Sequence, residues 1–502
     1  MMGFSVAMTG EVAQQLTDHL LRSDGQEDLC FSIWMPSTGR KRTTAIIDRP
    51  VLPRTGDRQV HGNASYEPRY GLRAAQDAAV SGAGVAFLHS HPGGRGWQAL
   101  NDVDRTAEAR VANLVRELTG HPLVGLTLAG SGEWSARIWN GVGRSVAPEP
   151  AQSVRVIGDG MNLYFNDALL PAPESSPTQV RTVHTWGEES QANMARLRIA
   201  VAGTGSVGMA IAEVLARTGV QSIGIFDFDT VEIVNLDRLR GAGLLDALLK
   251  RPKMHVAERL LGEGSTATNP HHEFYELSVC EPEGFNRLLD FDLVFSCVDR
   301  PWPRHVLNTM AYADLIPVVE GGLSVFRNTD GTLRNAYWRS AIVRPGRPCL
   351  SCLGQYDPAH VQVERDGSLD DPSYISNLPR NSALRRRENV AALSTSVSAA
   401  LLEQFVSYVT RPSGFGDPGP LRFSLRDHKV ERDATVCDKD CPYQDSSGTG
   451  DSRLDPTSRH RAAEKARHDR ASVGAGIRIV RRLDDLLWRW RLSLAGVVED
   501  YS

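Results

Sequence analysis

The chain has 502 residues, 41% of them hydrophobic and 23% charged, with a formal net charge of −4. Because a single hydrophobic core stops growing at about 250–300 residues, this length predicts more than one domain. The near-balanced charge excludes a bulk pull toward nucleic acid. No apolar run reaches the roughly 18 residues of a membrane span, and the first residues lack a secretory signal. A cytoplasmic protein is expected, with neither nucleic acid nor membrane as a partner.

In chain order, "EVAQQLTDHLLR" has helical spacing, and "LCFSIWMP", "GVAFLHSHP" and "LVGLTLAG" read as strands. They assign residues 1–150 to a first α/β domain, whose helix "DVDRTAEARVANLVREL" follows two histidines. Pro/Ser-rich punctuation marks 151–178 as a linker. From Leu197 to about Asp299 strand and helix alternate, the pattern of a doubly wound parallel sheet, within a second domain over 179–445. That domain also holds strand-like runs ("IPVVEGG", "AYWRSAIV", "LRFSLRDHKVE") and the helix "VAALSTSVSAALLEQFVSYV". Residues 446–502 read as a flexible polar segment ending in an amphipathic helix. Of Trp488 and Trp490, only one can face the body, since i and i+2 diverge on a helix.

The stretch "FLHSHPGGRGWQALNDVD" holds the first candidate site. His89 and His91 are two apart at a strand end, so both imidazoles point to one face. Two imidazoles and a carboxylate make three zinc ligands, leaving a fourth position open. This segment resembles the JAB/MPN/JAMM metallopeptidases, which carry an HxH, a serine, an aspartate and a glutamate far upstream. The resemblance implies zinc-dependent cleavage of peptide or isopeptide bonds after ubiquitin-like proteins. The usual spacing would put the serine at Ala99 and the aspartate at Asp102. A spacing longer by two puts Asn101 in the serine place and Asp104 as ligand, and this is preferred because alanine offers no polar atom. Asn101 would then donate to a developing oxyanion. Glu27 matches the upstream glutamate that acts as general base and acid, with Glu67 as fallback.

"LRIAVAGTGSVGMAIAEVLARTG" joins a short strand to a helix through Gly203, Gly205 and Gly208, which allow close phosphate approach. The next strand ends in Asp227, placed to hold ribose hydroxyls. A zinc-containing NAD-dependent oxidoreductase would share these features. The continuation differs: Asp227, Asp229, Glu232, Asn235 and Arg238, then Lys253, then Asp299 and Arg304. This ordered set closely resembles the ThiF and ubiquitin-activating enzyme family. The resemblance implies that Gly203, Gly205, Gly208, Asp227 and Asp229 cradle ATP and that Asn235, Arg238 and Lys253 grip its phosphates. Asp299 would help position magnesium, or the attacked phosphate, for adenylation of a C-terminal glycine carboxylate. Arg181 would be lent to the partner's site in a homodimer, although the arginine usually found three residues earlier is Thr178 here.

Cys349 and Cys352 form one close pair, Cys437 and Cys441 another; four thiolates make a closed, structural zinc site. Cys30 and Cys297 lie in apolar strand-like runs and read as core residues, whereas Cys280 is undecided. No cysteine lies between Cys352 and Cys437, where related activating enzymes carry a thioester or persulfide cysteine. Together the resemblances imply ATP, magnesium and two zinc sites, one catalytic and one structural. They imply an adenylyltransferase and peptidase whose partners are a ubiquitin-like or sulfur-carrier protein with a C-terminal glycine and a conjugating or sulfur-transfer protein. The alternative keeps the adenylyltransferase and makes the first domain a non-catalytic binding module.

Overall fold

The computed structural model describes residues 2–61, 63–141, 147–378, 388–472 and 474–494. The end of the C-terminal segment, 495–502, lies outside the described residues. The first sheet contains β1 (Gly3–Thr9), β2 (Leu29–Thr38), β3 (Arg42–Val51), β6 (Gly84–His91), β7 (Leu123–Ala129), β8 (Trp134–Trp139), β9 (Glu149–Pro150), β10 (Ser153–Ile157) and β11 (Met161–Phe165). Their order is β11-β10-β1-β3-β2-β6-β7-β8-β9, and β4 (Arg58–His61) and β5 (Asn63–Tyr66) form a separate hairpin. Alternation along β6 sends Ala86 and Leu88 into one core, with Leu16 and Leu20. Val85 and Phe87 enter the other, with Val111, Ala112 and Val115 of the helix Asp102–Thr119. His89 and His91 continue the second set, so both face that helix.

The helix itself starts where sequence and backbone agree. Asn101 is extended (φ −78°, ψ 171°), and its side chain accepts a 2.8 Å hydrogen bond from the Asp104 amide. Asp102 and Asp104 in the first turn complement the positive end of the helix dipole, and Gly120 ends it with φ 75°.

The second sheet runs β14-β13-β12-β15-β16-β17-β18-β19. Its strands β12 (Arg198–Ala202), β13 (Ser222–Phe226), β14 (His271–Tyr275), β15 (Leu293–Ser296) and β16 (Val318–Arg327) are parallel; β17 (Leu333–Val343), β18 (Leu421–Ser424) and β19 (Lys429–Arg432) extend it antiparallel. Helices Ser206–Arg217, Lys253–Gly264 and Ala391–Thr410 bury Ile211, Val256 and Leu401 on one face. Helices Pro282–Leu288 and Pro301–Ala313 bury Phe285 and Val306 on the other. This is the expected doubly wound α/β arrangement, whose crevice lies at the carboxyl ends of the parallel strands where the strand order reverses, between β12 and β15. Among the described residues no helix is long and apolar enough to cross a membrane.

Two expectations are corrected. Residues 151–178 are more than a linker: β10 pairs parallel with β1, Val6 opposite Val154, and β11 follows as the edge strand. Ile157, Met161 and Phe165 then enter the same core cluster as Met194, Leu401 and Tyr408 of the second unit. Apolar residues in "SVRVI" and "MNLYF" outweigh the flanking prolines because each buried side chain contributes roughly 1.5–3 kcal/mol. Likewise residues 446–471, expected to be flexible, pack on the body. Gly450 sits against the Pro36 carbonyl, where a Cβ would approach to 2.2 Å, and the helix Arg461–Ala471 is tied by Arg467 to Glu281.

At the junction of the sheets Asp292, buried just before β15, pairs with Arg42 of β3 and Arg155 of β10 and accepts the Arg198 amide of β12 at 2.9 Å. Burial alone would raise its carboxyl; Arg42 and Arg155 outweigh that and hold it below the ordinary range. Its contribution is therefore full above the ordinary carboxylate range and is lost as pH falls through the depressed value. Asp292→Ala should cost about 3–5 kcal/mol at pH 7, because it strands two buried guanidinium groups. A lowered urea midpoint that converges with the parent's on acidification checks this; equal midpoints at pH 7 refute it.

Candidate functional site

Three groups of side chains offer chemistry, and two of them lie where a strand meets the start of a helix. At the end of β6, His89 Nε2 and His91 Nε2 approach the same Asp104 oxygen, at 3.5 and 3.2 Å. All three ligand atoms lie within 4.8 Å of one another. A tetrahedral ion with arms of about 2.0–2.1 Å needs ligand atoms about 3.3 Å apart, so the donor set fits zinc. Burial would raise the Asp104 carboxyl, but the hydrogen bonds and charges of the two imidazoles hold it well below the usual range. The Asp104 hydrogen bond in turn raises His91, against burial, with Gln98 and the charge of Glu27 adding to the effect. Of the two aspartates considered, Asp104 joins the histidines; Asp102 is exposed in the first helical turn.

Glu27 is half-buried just before β2, within electrostatic reach of His91, whereas Glu67 is exposed at the start of the helix Pro68–Val80. Asn101 is exposed, and its carbonyl oxygen is occupied as the helix cap, a role the oxyanion reading did not anticipate. The sequence reading also missed the residues that contact the imidazoles. Gln98 Oε1 lies 3.3 Å from His91 Nδ1, which turns Nε2 toward Asp104. Thr127 Oγ1 lies 3.3 Å from His89 Nε2 and accepts a 2.8 Å hydrogen bond from Arg137, itself paired with buried Glu108. His89 Nδ1 is buried without a hydrogen-bond partner. Gln98 lay within the stretch that drew attention; Thr127, Arg137 and Glu108 carry no local signal.

At the carboxyl ends of β12 and β13 the glycine turn has the tightness its residues require. Gly203 has φ 91°, and a Cβ there would meet the Cys297 carbonyl at 2.7 Å; at Gly208 a Cβ would lie 1.9 Å from the Gly203 oxygen. Space around Gly205, the residue before the helix Ser206–Arg217, is open. One Asp227 oxygen accepts from the Thr204 amide and hydroxyl, both at 2.7 Å, and the other from the Asp229 amide at 2.7 Å. Burial pushes the Asp227 carboxyl up while Lys253 opposes it. Lys253 Nζ lies 2.7 Å from Asp229, and despite burial the charges of Asp227, Asp229 and Asp299 keep its ammonium above the ordinary value. Asp299 itself is exposed in the turn after β15.

The other expected phosphate ligands are engaged locally. Asn235 accepts from the Glu232 amide at 3.0 Å, and Arg238 donates to the Val234 carbonyl at 2.6 Å and to Asp237 at 2.7 Å. Arg304 pairs with buried Glu320 at 3.2 Å. Arg181 is exposed on the helix Val180–Trp186. Direct contacts thus join Asp227, Thr204, Asp229 and Lys253, and Thr204 is the member that the glycine spacing concealed.

The third group closes the loop after β17 onto the one after β19. The Cys349, Cys352, Cys437 and Cys441 sulfurs lie within 4.8 Å of one another, with Cys441 3.7 Å from Cys349 and 4.0 Å from Cys352. Metal–sulfur arms of about 2.3 Å give tetrahedral edges of about 3.8 Å, so these donors also fit zinc. The Cys349 amide donates to Cys437 Sγ at 3.1 Å and the Cys352 amide to Cys349 Sγ at 3.3 Å, which favours thiolates. Cys30 and Cys280 are buried and Cys297 half-buried beside the glycine turn; burial raises all three thiols.

Residues 178–400 match the model of the ThiF family, so the chain carries a ThiF family domain. It is 26% identical over 222 residues to the adenylyltransferase and sulfurtransferase MOCS3 of Caenorhabditis briggsae, covering 44% of this chain and 52% of that protein. It is 29% identical over 167 residues to the molybdopterin-synthase adenylyltransferase of Escherichia coli (strain K12), covering 32% of this chain and 59% of that one. With the adenylyltransferase and sulfurtransferase UBA4 of Yarrowia lipolytica it shares 31% over 193 residues, 38% of this chain and 45% of the relative. The chain thus spans about half the length of the curated relatives it matches. Among solved structures, E. coli MccB with selenomethionine MccA aligns with a TM-score of 0.41 and 15% identity, over 54% of this chain and 75% of that one.

Purified protein should hold about two zinc ions per chain, from the two donor sets. His89→Ala/His91→Ala should lose one and Cys349→Ser/Cys352→Ser the other, by elemental analysis. A histidine variant with undiminished zinc would remove the β6 cluster from consideration.

Proposed function

We propose that the chain is an ATP-dependent adenylyltransferase of a ubiquitin-like or sulfur-carrier pathway, fused to a zinc-dependent peptidase domain that trims or releases the carrier. The observation that carries the first part is the pocket of Gly203, Asp227, Asp229 and Lys253 at the carboxyl edge of a sheet within a ThiF family domain. A tight glycine turn at a helix N-terminus suits a polyphosphate, and Asp227, held rigid by Thr204, suits ribose hydroxyls.

In the proposed reaction a carboxylate oxygen of the carrier's C-terminal glycine attacks the α-phosphorus of ATP. A new P–O bond forms, the bond to the β-phosphate bridging oxygen breaks, and pyrophosphate leaves. Lys253 neutralises charge on the phosphates, aided by Asn235 and Arg238 once they turn from their local partners. Asp299 is exposed where it can help hold magnesium; magnesium would supply charge neutralisation of the leaving phosphates. Arg181, exposed on its own short helix, would reach the ATP pocket of a second copy in a homodimer.

In the first domain His89, His91 and Asp104 would hold zinc, which supplies Lewis acidity. Glu27 would take a proton from the attacking water and return it to the leaving amine. Gln98 orients the His91 imidazole through Nδ1, the ring nitrogen that does not face Asp104. Asn101 would donate through its amide nitrogen, its oxygen being used as helix cap. That cap favours a second reading, in which the first domain only binds a carrier fold. A conjugating or sulfur-transfer protein would take the acyl group in either case.

Lys253→Ala and Asp299→Ala should each lower carrier-dependent ATP–pyrophosphate exchange by roughly 10²–10³-fold, the scale of a lost electrostatic stabiliser. Exchange at the parental rate in both would refute the adenylation site. With a carrier bearing residues beyond its glycine, His89→Ala should abolish exchange while leaving it intact with the trimmed form. Equal activity on both forms favours the binding-only reading.

A further inference from the structure

The C-terminal segment, which the adenylation reading leaves idle, runs over the loops that shape the nucleotide pocket. Residues 456–460 cross the start of the helix Pro301–Ala313: the Trp302 indole donates to the Pro456 carbonyl at 3.0 Å, and the Ser458 amide donates to Cys280 at 3.0 Å. The His460 ring packs between Phe228 and Trp302, with centroids 5.2 and 5.1 Å away. Phe228 lies between Asp227 and Asp229, and Trp302 three residues beyond Asp299. Near the end of the helix Arg461–Ala471, Arg470 donates to the Phe228 carbonyl and pairs with Glu276 at 2.7 Å. Its side chain is 9% exposed.

The following helix, Ala475–Leu494, grips the other side of the pocket. Asp484 and Asp485 both pair with Arg251, whose side chain is 1% exposed. Arg481 donates to the Leu249 carbonyl at 2.9 Å and the Lys250 carbonyl at 2.7 Å. The segment so held is laddered onto the Asp227–Asp229 loop: the Val231 amide donates to Arg251 at 2.8 Å, and the Lys253 amide to Asp229 at 3.0 Å. Without this helix Arg251 would keep Asp246 alone, and Arg259 also claims Asp246 at 2.8 Å. A buried guanidinium left short of carboxylates is costly, so the loop would move to water and take Lys253 with it.

We propose that residues 456–471 and the helix Ala475–Leu494 act as a built-in clamp on the nucleotide pocket, in which Arg470, Asp484 and Asp485 are positioning residues for Asp227, Asp229 and Lys253. This rests on the adenylation reading. The clamp touches the carbonyl between the two aspartates and the residue two before the lysine, so it sets their spacing without contacting nucleotide. Its effect is preorganisation: a pocket populated only in part binds more weakly by that fraction.

The test compares full-length parent, Arg470→Ala, Arg470→Lys and Asp484→Asn/Asp485→Asn by MgATP titration calorimetry, with thermal melting and zinc content as controls of folding. Arg470→Ala and the double variant should bind MgATP about tenfold more weakly, equivalent to about 1.4 kcal/mol, with cooperative melting and parental zinc. Arg470→Lys, which keeps a charged donor, should recover most of the loss. Folded variants that bind MgATP as tightly as the parent overturn the clamp alone. If Arg470→Ala does not fold, the double variant decides by the same criterion. A parent that binds no MgATP overturns the nucleotide reading and the clamp with it.

Discussion

Two sheets in one chain need something to fix their relation, and here a buried carboxylate does much of that. Asp292 meets Arg42 and Arg155 from the first sheet and the Arg198 amide from the second. It stands at the entrance of β15, beside the start of β12, the two strands that flank the crevice. A carboxylate between two buried guanidinium groups tolerates little displacement, since each charge loses its compensation if the others move. The first sheet therefore buttresses, from their amino ends, the two parallel strands whose carboxyl ends carry the glycine turn and Asp299. Nearby exposed pairs, Arg40 with Glu283 and Lys41 with Glu273, line the same seam and contribute less. Apolar packing completes it, with Ala7, Ile46 and Phe165 sharing a core with Leu401 and Phe405.

The histidine cluster and the cluster at the glycine turn are built on one plan. In each, a buried strand delivers side chains to its carboxyl end, and the N-terminus of the next helix supplies either a carboxylate or open amides. Asp104 reaches the histidines because Asn101 caps its helix, and the second cluster is open at Gly205 because the glycine turn leaves no Cβ in the way. The cysteine cluster is different. It joins two loops that both follow strands of the antiparallel extension and packs them against the helix Pro301–Ala313.

Much of the candidate chemistry was legible because it is local. His89 and His91 share a face by the period of a strand, Gly203 to Gly208 define one turn, and paired cysteines lie one turn apart. The choice between Asp102 and Asp104 was legible too, once alanine at position 99 was weighed. What was not legible lies across strands. Thr127 and Arg137 reach His89 from β7 and β8. Thr204 was hidden among glycines, although its hydroxyl and amide both hold Asp227. The linker reading of 151–178 followed prolines and missed that the short apolar runs between them had a sheet edge to join.

By itself the sequence determined the doubly wound pattern, the glycine turn, the grouping of His89 with His91 and of the cysteines in two close pairs, and the polar character of the tail. Those features depend on period and on spacing within a few residues, which backbone geometry converts directly into direction. Only the tertiary structure decided that β10 and β11 complete the first sheet, that Asp292 binds the halves, and that Arg470, Asp484 and Asp485 return to the loops that carry Asp227 and Lys253. Each of these is a contact between residues distant in the chain. A buried charge there carries no sequence mark, because its partner is chosen by the fold and not by its neighbours.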